Sequence, residues 1–118
     1  MAAIGDKLLD AEQLRRRRSE LRRRYRTLYD ELEKLFYKHD PIGISFEPDE
    51  YDPEVELLLP RLSQVRTERE LTNEIHAIFQ HMFSPETAGP RKRYAPIARD
   101  TWELMQEQAE AGRVPFPV

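Results

Sequence analysis

Eight arginines fall between positions 15 and 26: Arg15, Arg16, Arg17, Arg18, Arg22, Arg23, Arg24 and Arg26. Guanidinium groups at this density can neutralise phosphates along a helix, with steep salt dependence. They can equally fork onto the carboxylates of an acidic protein. Nucleic-acid readers usually add stacking aromatics or base-reading amides, and here only Tyr25 and the upstream Gln13 are at hand. Four consecutive arginines span more than one helical turn, so the cluster wraps around the helix. The pairs Glu12–Arg16 and Glu20–Arg24 also suit a plain solvated helix supported by its own i,i+4 charges. All three readings stay open.

The second candidate is acidic: Glu47, Asp49, Glu50, Asp52, Glu54 and Glu56. Alternating carboxylates can hold a hard cation. A calcium loop, however, needs a glycine at its turn, and this stretch has Pro48 and Pro53 instead. Two readings lead, a helix start with a solvated loop, Asp52 as N-cap and Pro53 as the first helical residue, or a contact surface for a basic partner, and a metal site is the third. The histidines are His39, His76 and His81. His76 and His81, five apart, lie about 140° apart around a helix and do not share an ion easily. No metal site, cofactor or catalytic residue is assigned. No glycine-rich phosphate loop and no nucleophile elbow occurs in the sequence.

The elements that position these groups read as helices. The 118 residues are a prior for one domain. With no cysteine there is no disulfide framework and no thiolate metal site. No apolar run approaches 18 residues, so nothing reads as a membrane span. Residues 1–10 lack a basic-then-apolar leader pattern, and the expected setting is cytoplasmic. Net charge is −3, divided as +3 over residues 1–44 and −6 over the rest. Leu14, Leu21, Leu28 and Leu35 recur every seven residues, with Tyr25 and Leu32 interleaved. This predicts one helix from Asp6 to Lys38, about 50 Å long. Its arginine-rich half, residues 6–24, is expected to protrude or to cover a partner. Packing of Tyr25, Leu28, Leu32 and Leu35 inside the chain is the simpler use of the stripe, and a homodimer through this helix is the other.

A connection over 39–52 follows, with Ile42, Ile44 and Phe46 expected partly on the core. A second helix buries Val55, Leu58, Leu59 and Leu62, with Pro60 kinking or ending it. Thr67 and Glu70 form a capping box. Behind it Leu71, Ile75, Ile78, Phe79, Met82 and Phe83 make an amphipathic helix. A turn over 84–90 leads to a last helix over 91–111. Ile97, Trp102, Met105 and Ala109 are its expected inner positions, Pro96 lies in its first turn and Gly112 ends it. Residues 113–118 read as an extended tail. The fold class is all-α with four helices.

Two stretches carry a resemblance: His39-Asp40-Pro41-Ile42-Gly43-Ile44 and Asp49-Glu50-Tyr51-Asp52-Pro53-Glu54-Val55. With the helix over 75–83 they resemble a small bacterial helical family known as a domain of unknown function, the YugE-like family. The likeness covers about Tyr29 to Phe83, with a weaker extension to Met105, and leaves out the arginine cluster. It implies a compact helical domain and brings no activity with it. The function expected from the residues is a non-enzymatic interaction module, a small subunit or neutralising binder of a protein partner. Its partner-binding residues would be the eight arginines together with Glu47, Asp49, Glu50, Asp52 and Glu54. The alternative is a nucleic-acid-binding accessory protein using the arginine helix.

Overall fold

The computed structural model describes residues 11–112, and every described element is helical. The expected N-cap Asp6, the helix start over 6–10, the side chains of Leu14 and Leu21 and the tail over 113–118 lie outside what is described. Helix α1 spans Ala11–Arg24 and α2 spans Arg26–His39. Helix α3 spans Asp52–Leu58 and tightens into a 3-10 segment over Leu59–Gln64. Helix α4 spans Glu68–Met82 and the single turn α5 spans Pro85–Ala88. A 3-10 turn over Arg91–Tyr94 leads into α6, Ala95–Glu110. The all-α class is therefore observed, with more and shorter helices than the four expected.

The main correction concerns the first helix. It breaks at Tyr25, whose φ and ψ are −119° and 37°. A straight 50 Å rod does not fit a body of 36 × 35 × 30 Å. Helix α1 instead packs against α2 and sends Arg18 and Arg22 across to α3. No glycine or proline marks this bend in the sequence.

The core is built by α2, α4 and α6, with α3 laid against α2 and α4. Phe79 is its hub, with ring centroids 6.0 Å from Phe36, 5.7 Å from Tyr51 and 5.0 Å from Tyr94. Aromatic pairs at these spacings add to the burial of their area. Val55, Leu58, Leu59 and Leu62 are buried as expected, and Pro60 does end the α-helical part of its run. The N-cap half of the capping box forms, with Thr67 Oγ1 accepting from the Glu70 amide at 3.1 Å, while the Glu70 carboxylate accepts from the Arg66 amide at 2.7 Å, one residue ahead of the N-cap. Pro96 sits in the first turn of α6, and Gly112 follows that helix with φ +69°.

Several positions differ from the expected pattern. On α2 the buried residues are Leu28, Tyr29, Leu32 and Phe36, with Tyr25 and Leu35 only packed at the margin. Met82 and Phe83 are exposed at the end of α4. Trp102 rests at the core edge, while Leu104 and Thr101 turn inward. Ile42 and Ile44 pack on the core, whereas Phe46 is 80% exposed.

The α5–α6 corner depends on Gly89, at φ +76°. Arg93 Nη1 donates to the carbonyls of Thr87 and Ala88 at 3.2 and 3.1 Å. A Cβ at Gly89 would lie 2.6 Å from Arg93 Cζ. Gly89→Ala therefore strains the backbone and displaces this guanidinium together, and we expect a loss of about 1–2 kcal/mol. Urea denaturation checks it, and an unchanged midpoint would contradict it.

Candidate functional site

Arg18 and Arg22 are one helical turn apart on α1, and Asp52 and Glu56 are one turn apart on α3. The pairs cross in antiparallel register. Arg18 Nε donates to Glu56 Oε2 at 2.6 Å, and Arg22 Nη2 donates to Asp52 Oδ2 at 2.9 Å. Arg22 Nη2 also donates to Glu33 Oε2 on α2 at 3.0 Å. The Tyr29 hydroxyl donates to Glu56 Oε2 at 2.9 Å, and the Arg22 guanidinium lies 4.6 Å from the Tyr29 ring centroid. One cation thus bridges three helices over an aromatic face, a geometry suited to arginine rather than lysine.

Two guanidinium groups face three carboxylates here, so the cluster favours one retained proton. Burial, then the neighbouring Asp52, pushes the Glu33 carboxyl up to about 7, against the opposing pull of Arg22. Burial works against the Arg22 cation, but its bonds to Tyr29 and Asp52 outweigh that and strengthen its hold on the proton. Burial, followed by the charges of Asp52 and Glu56, raises the Tyr29 phenol. Arg22 Nε and Asp52 Oδ1 are buried with no hydrogen-bond partner.

Glu54 is a separate feature. It is 2% exposed and its Oε1 is buried without a partner. Burial, then repulsion from Glu56 and Asp52, pushes its pKa up to about 7. A carboxyl without a cation in a dry site retains its proton rather than its charge.

The structure divides the expected site residues. Arg15, Arg16, Arg17, Arg23, Arg24 and Arg26 are exposed. Arg16 pairs with Glu12 at 3.2 Å in open solvent, a contact worth little. Arg24 lies 5.4 Å from the Tyr25 ring centroid. Arg23 and Arg26, with Arg22 and Asp30, line an open groove of about 330 Å³. On the acidic side Glu47 and Asp49 are exposed and Glu50 is half-buried. Asp52 and Glu54, each 2% exposed, cannot form a contact surface in this fold, which corrects the expectation for both. Asp52 is also not the N-cap. Tyr51 holds that position without a side-chain cap bond, and Asp52 begins the helix.

Two of the three histidines make structural contacts. His39 Nε2 donates to Asp100 Oδ2 at 2.8 Å, tying α2 to α6. His76 Nε2 lies 3.0 Å from the Gly89 carbonyl, which can only accept, so that nitrogen carries the proton. His81 is exposed. Asp40 Oδ1 accepts from the amides of Ile44 and Ser45 and from the Tyr51 hydroxyl, at 2.8, 3.0 and 2.7 Å. Burial alone would raise its pKa, but these bonds hold it below the usual value. Among the described residues no group of three or more His, Cys, Asp or Glu could hold a metal ion, and no helix is long and apolar enough to cross a membrane.

Sequence reasoning missed Tyr29 and Glu33. A signal for the clasp was present, since both charge pairs have the same four-residue spacing with opposite sign. Nothing local pointed to α2 as the third wall. No family model matches the chain, and no curated protein or solved structure does, so the YugE-like resemblance rests on its own short motifs.

Proposed function

We propose that this chain is a non-enzymatic interaction module that presents the outer arginines of α1 to an acidic protein. One observation carries the reading. Arg18 and Arg22 close on the chain's own carboxylates and so pin α1, leaving five exposed arginines (Arg15, Arg16, Arg17, Arg23 and Arg24) on a helix of fixed position. A pre-positioned guanidinium loses less side-chain freedom for each bond it forms. Glu12 and Glu20 share the exposed surface with Arg16 and Arg23. That mixture suits a protein partner, where opposite charges set register and orientation. It is poorly suited to a phosphate backbone, which the two glutamates would repel.

Capture from nuclease-treated lysate, at low and high salt, tests the reading. Wild-type bait and the Arg16→Glu/Arg23→Glu double variant are compared by mass spectrometry. The expected result is one dominant acidic protein that survives nuclease and is lost, by about tenfold or more, with the variant bait or at high salt. Identical capture by both baits overturns the arginine face. Loss of all captured protein on nuclease treatment overturns the protein-partner reading in favour of nucleic acid.

A further inference from the structure

We infer that this chain associates with a second copy of itself, the Phe46 loop of each protomer docking in a groove between α1, α3 and α4 of the other. Both halves of this contact lie on one chain. The knob is Phe46, 80% exposed in the connection between α2 and α3. An isolated exposed apolar residue needs no explanation by itself. Phe46 differs because its loop is held in place. Asp40, at φ 46°, accepts three hydrogen bonds from Ile44, Ser45 and Tyr51. The Ser45 hydroxyl donates to the Tyr37 carbonyl at 2.9 Å, and the Phe46 amide donates to the Ile44 carbonyl at 2.8 Å. Ile42 and Ile44 anchor the same loop on the core. A ring presented from such a loop docks with little ordering cost. Glu47 and Asp49 follow it on the exposed surface.

The complementary groove has a volume of about 240 Å³ and is lined by Arg17, Pro53, Glu56, Leu57, His81 and Met82. A phenyl ring fits that space, since an apolar cavity of about 150 Å³ accepts benzene. Leu57, Pro53 and Met82 supply apolar walls, and Met adapts readily to a flat ring. Arg17 supplies the positive rim. The one carboxylate in the groove, Glu56, is already neutralised by Arg18 at 2.6 Å. The acidic knob therefore meets a groove of matching size and opposite charge. A reciprocal contact of this kind forms twice in a closed two-fold dimer, which is the commonest closed assembly. The leucine stripe is not its seam, because Leu28 and Leu32 are fully buried in their own core. The contact takes Arg17 from the exposed arginines of α1 but leaves Arg16 and Arg23 free, so the variants that test it are distinct from those that test the acidic-partner reading.

Sedimentation equilibrium of the purified chain, over a concentration series at low and high salt, is the test. The expected result is a concentration-dependent dimer that high salt weakens. Phe46→Ala and Arg17→Glu are each expected to weaken it by about thirtyfold or more, the size of a central anchor's loss. Both residues are exposed, and circular dichroism verifies that each variant stays folded. Mixing the two variants is decisive. The Phe46→Ala chain retains an intact groove and the Arg17→Glu chain an intact knob, so the mixture regains one contact and associates more tightly than either alone. A chain that stays monomeric throughout overturns the proposal. So does a dimer indifferent to both substitutions, or a mixture no tighter than its components.

Discussion

Arg22→Ala lowers stability by about 2–3 kcal/mol at neutral pH, a fall in Tm of roughly 10–15 °C. The substitution leaves Asp52 buried without its counter-ion and removes the bridge to Glu33. Stripping one partner from a fully buried pair costs about 3–5 kcal/mol. The Arg22 side chain is 43% exposed, so water screens part of the interaction and the expected loss is smaller. Thermal melts followed by circular dichroism measure it. Arg23→Ala, on the same helix but exposed, is the control and should shift stability by no more than about 0.5 kcal/mol. Arg22→Lys should recover only part of the loss, because an ammonium can bond both carboxyl groups but has no planar face to lay on the Tyr29 ring. Equal, small effects of the Arg22 and Arg23 substitutions would mean that the clasp contributes nothing.

The second large effect depends on pH. Glu54 has an ordinary value of 4.5 and is raised to about 7 in the fold, chiefly by burial. Below pH 4.5 both the folded and unfolded forms hold the proton, and Glu54 contributes no difference. Between about pH 4.5 and 7 the unfolded chain releases its proton while the folded chain retains it, so stability falls as pH rises. Above pH 7 the whole penalty is present, about 3 kcal/mol for a shift of this size. Glu33, raised by burial and Asp52, adds to the same trend. Asp40, held low by its hydrogen bonds, has the opposite sign, and its loss of stability falls at acid pH below its ordinary value of 3.8. The wild-type protein should therefore be most stable near pH 4.5–5 and weaken toward pH 8. Glu54→Gln keeps the shape and removes the titration. Its stability should be nearly flat over the same window apart from the Glu33 contribution, and above wild type at pH 8. Urea denaturation at four pH values checks this. A variant with the wild-type slope would place the titrating group elsewhere.

The fold was legible where local chemistry and tertiary packing agree. Thr67 with Glu70, Pro60, Pro96 and Gly112 each acts through its own backbone, and each boundary lies where that residue type places it. The bend at Tyr25 was not legible, because every local signal favours a continuous helix. The heptad leucines run through it and no breaker interrupts them. What opposes continuity is long-range: Arg18 and Arg22 meet carboxylates 38 and 30 residues away. Asp52 misled for the same reason. An Asp-Pro pair suits a helix N-cap, but its carboxylate is occupied by Arg22. Phe46 misled in the other direction: its isoleucine neighbours do pack inward, while the loop held by Asp40 carries its ring outside. Of the candidate site, the exposed arginines were readable from composition alone. Their division into an inner pair and an outer set was not.

A double-mutant cycle between Arg22 and Asp52 tests whether the inner pair is closed. Arg22→Ala, Asp52→Asn and the double variant are compared with wild type by denaturant unfolding at neutral pH. A closed pair predicts a coupling of about 1.5 kcal/mol or more, the double variant losing clearly less than the sum of the singles. Additivity within about 0.5 kcal/mol would contradict it, and Arg22 would then belong with the exposed arginines of α1 rather than with an inner pair.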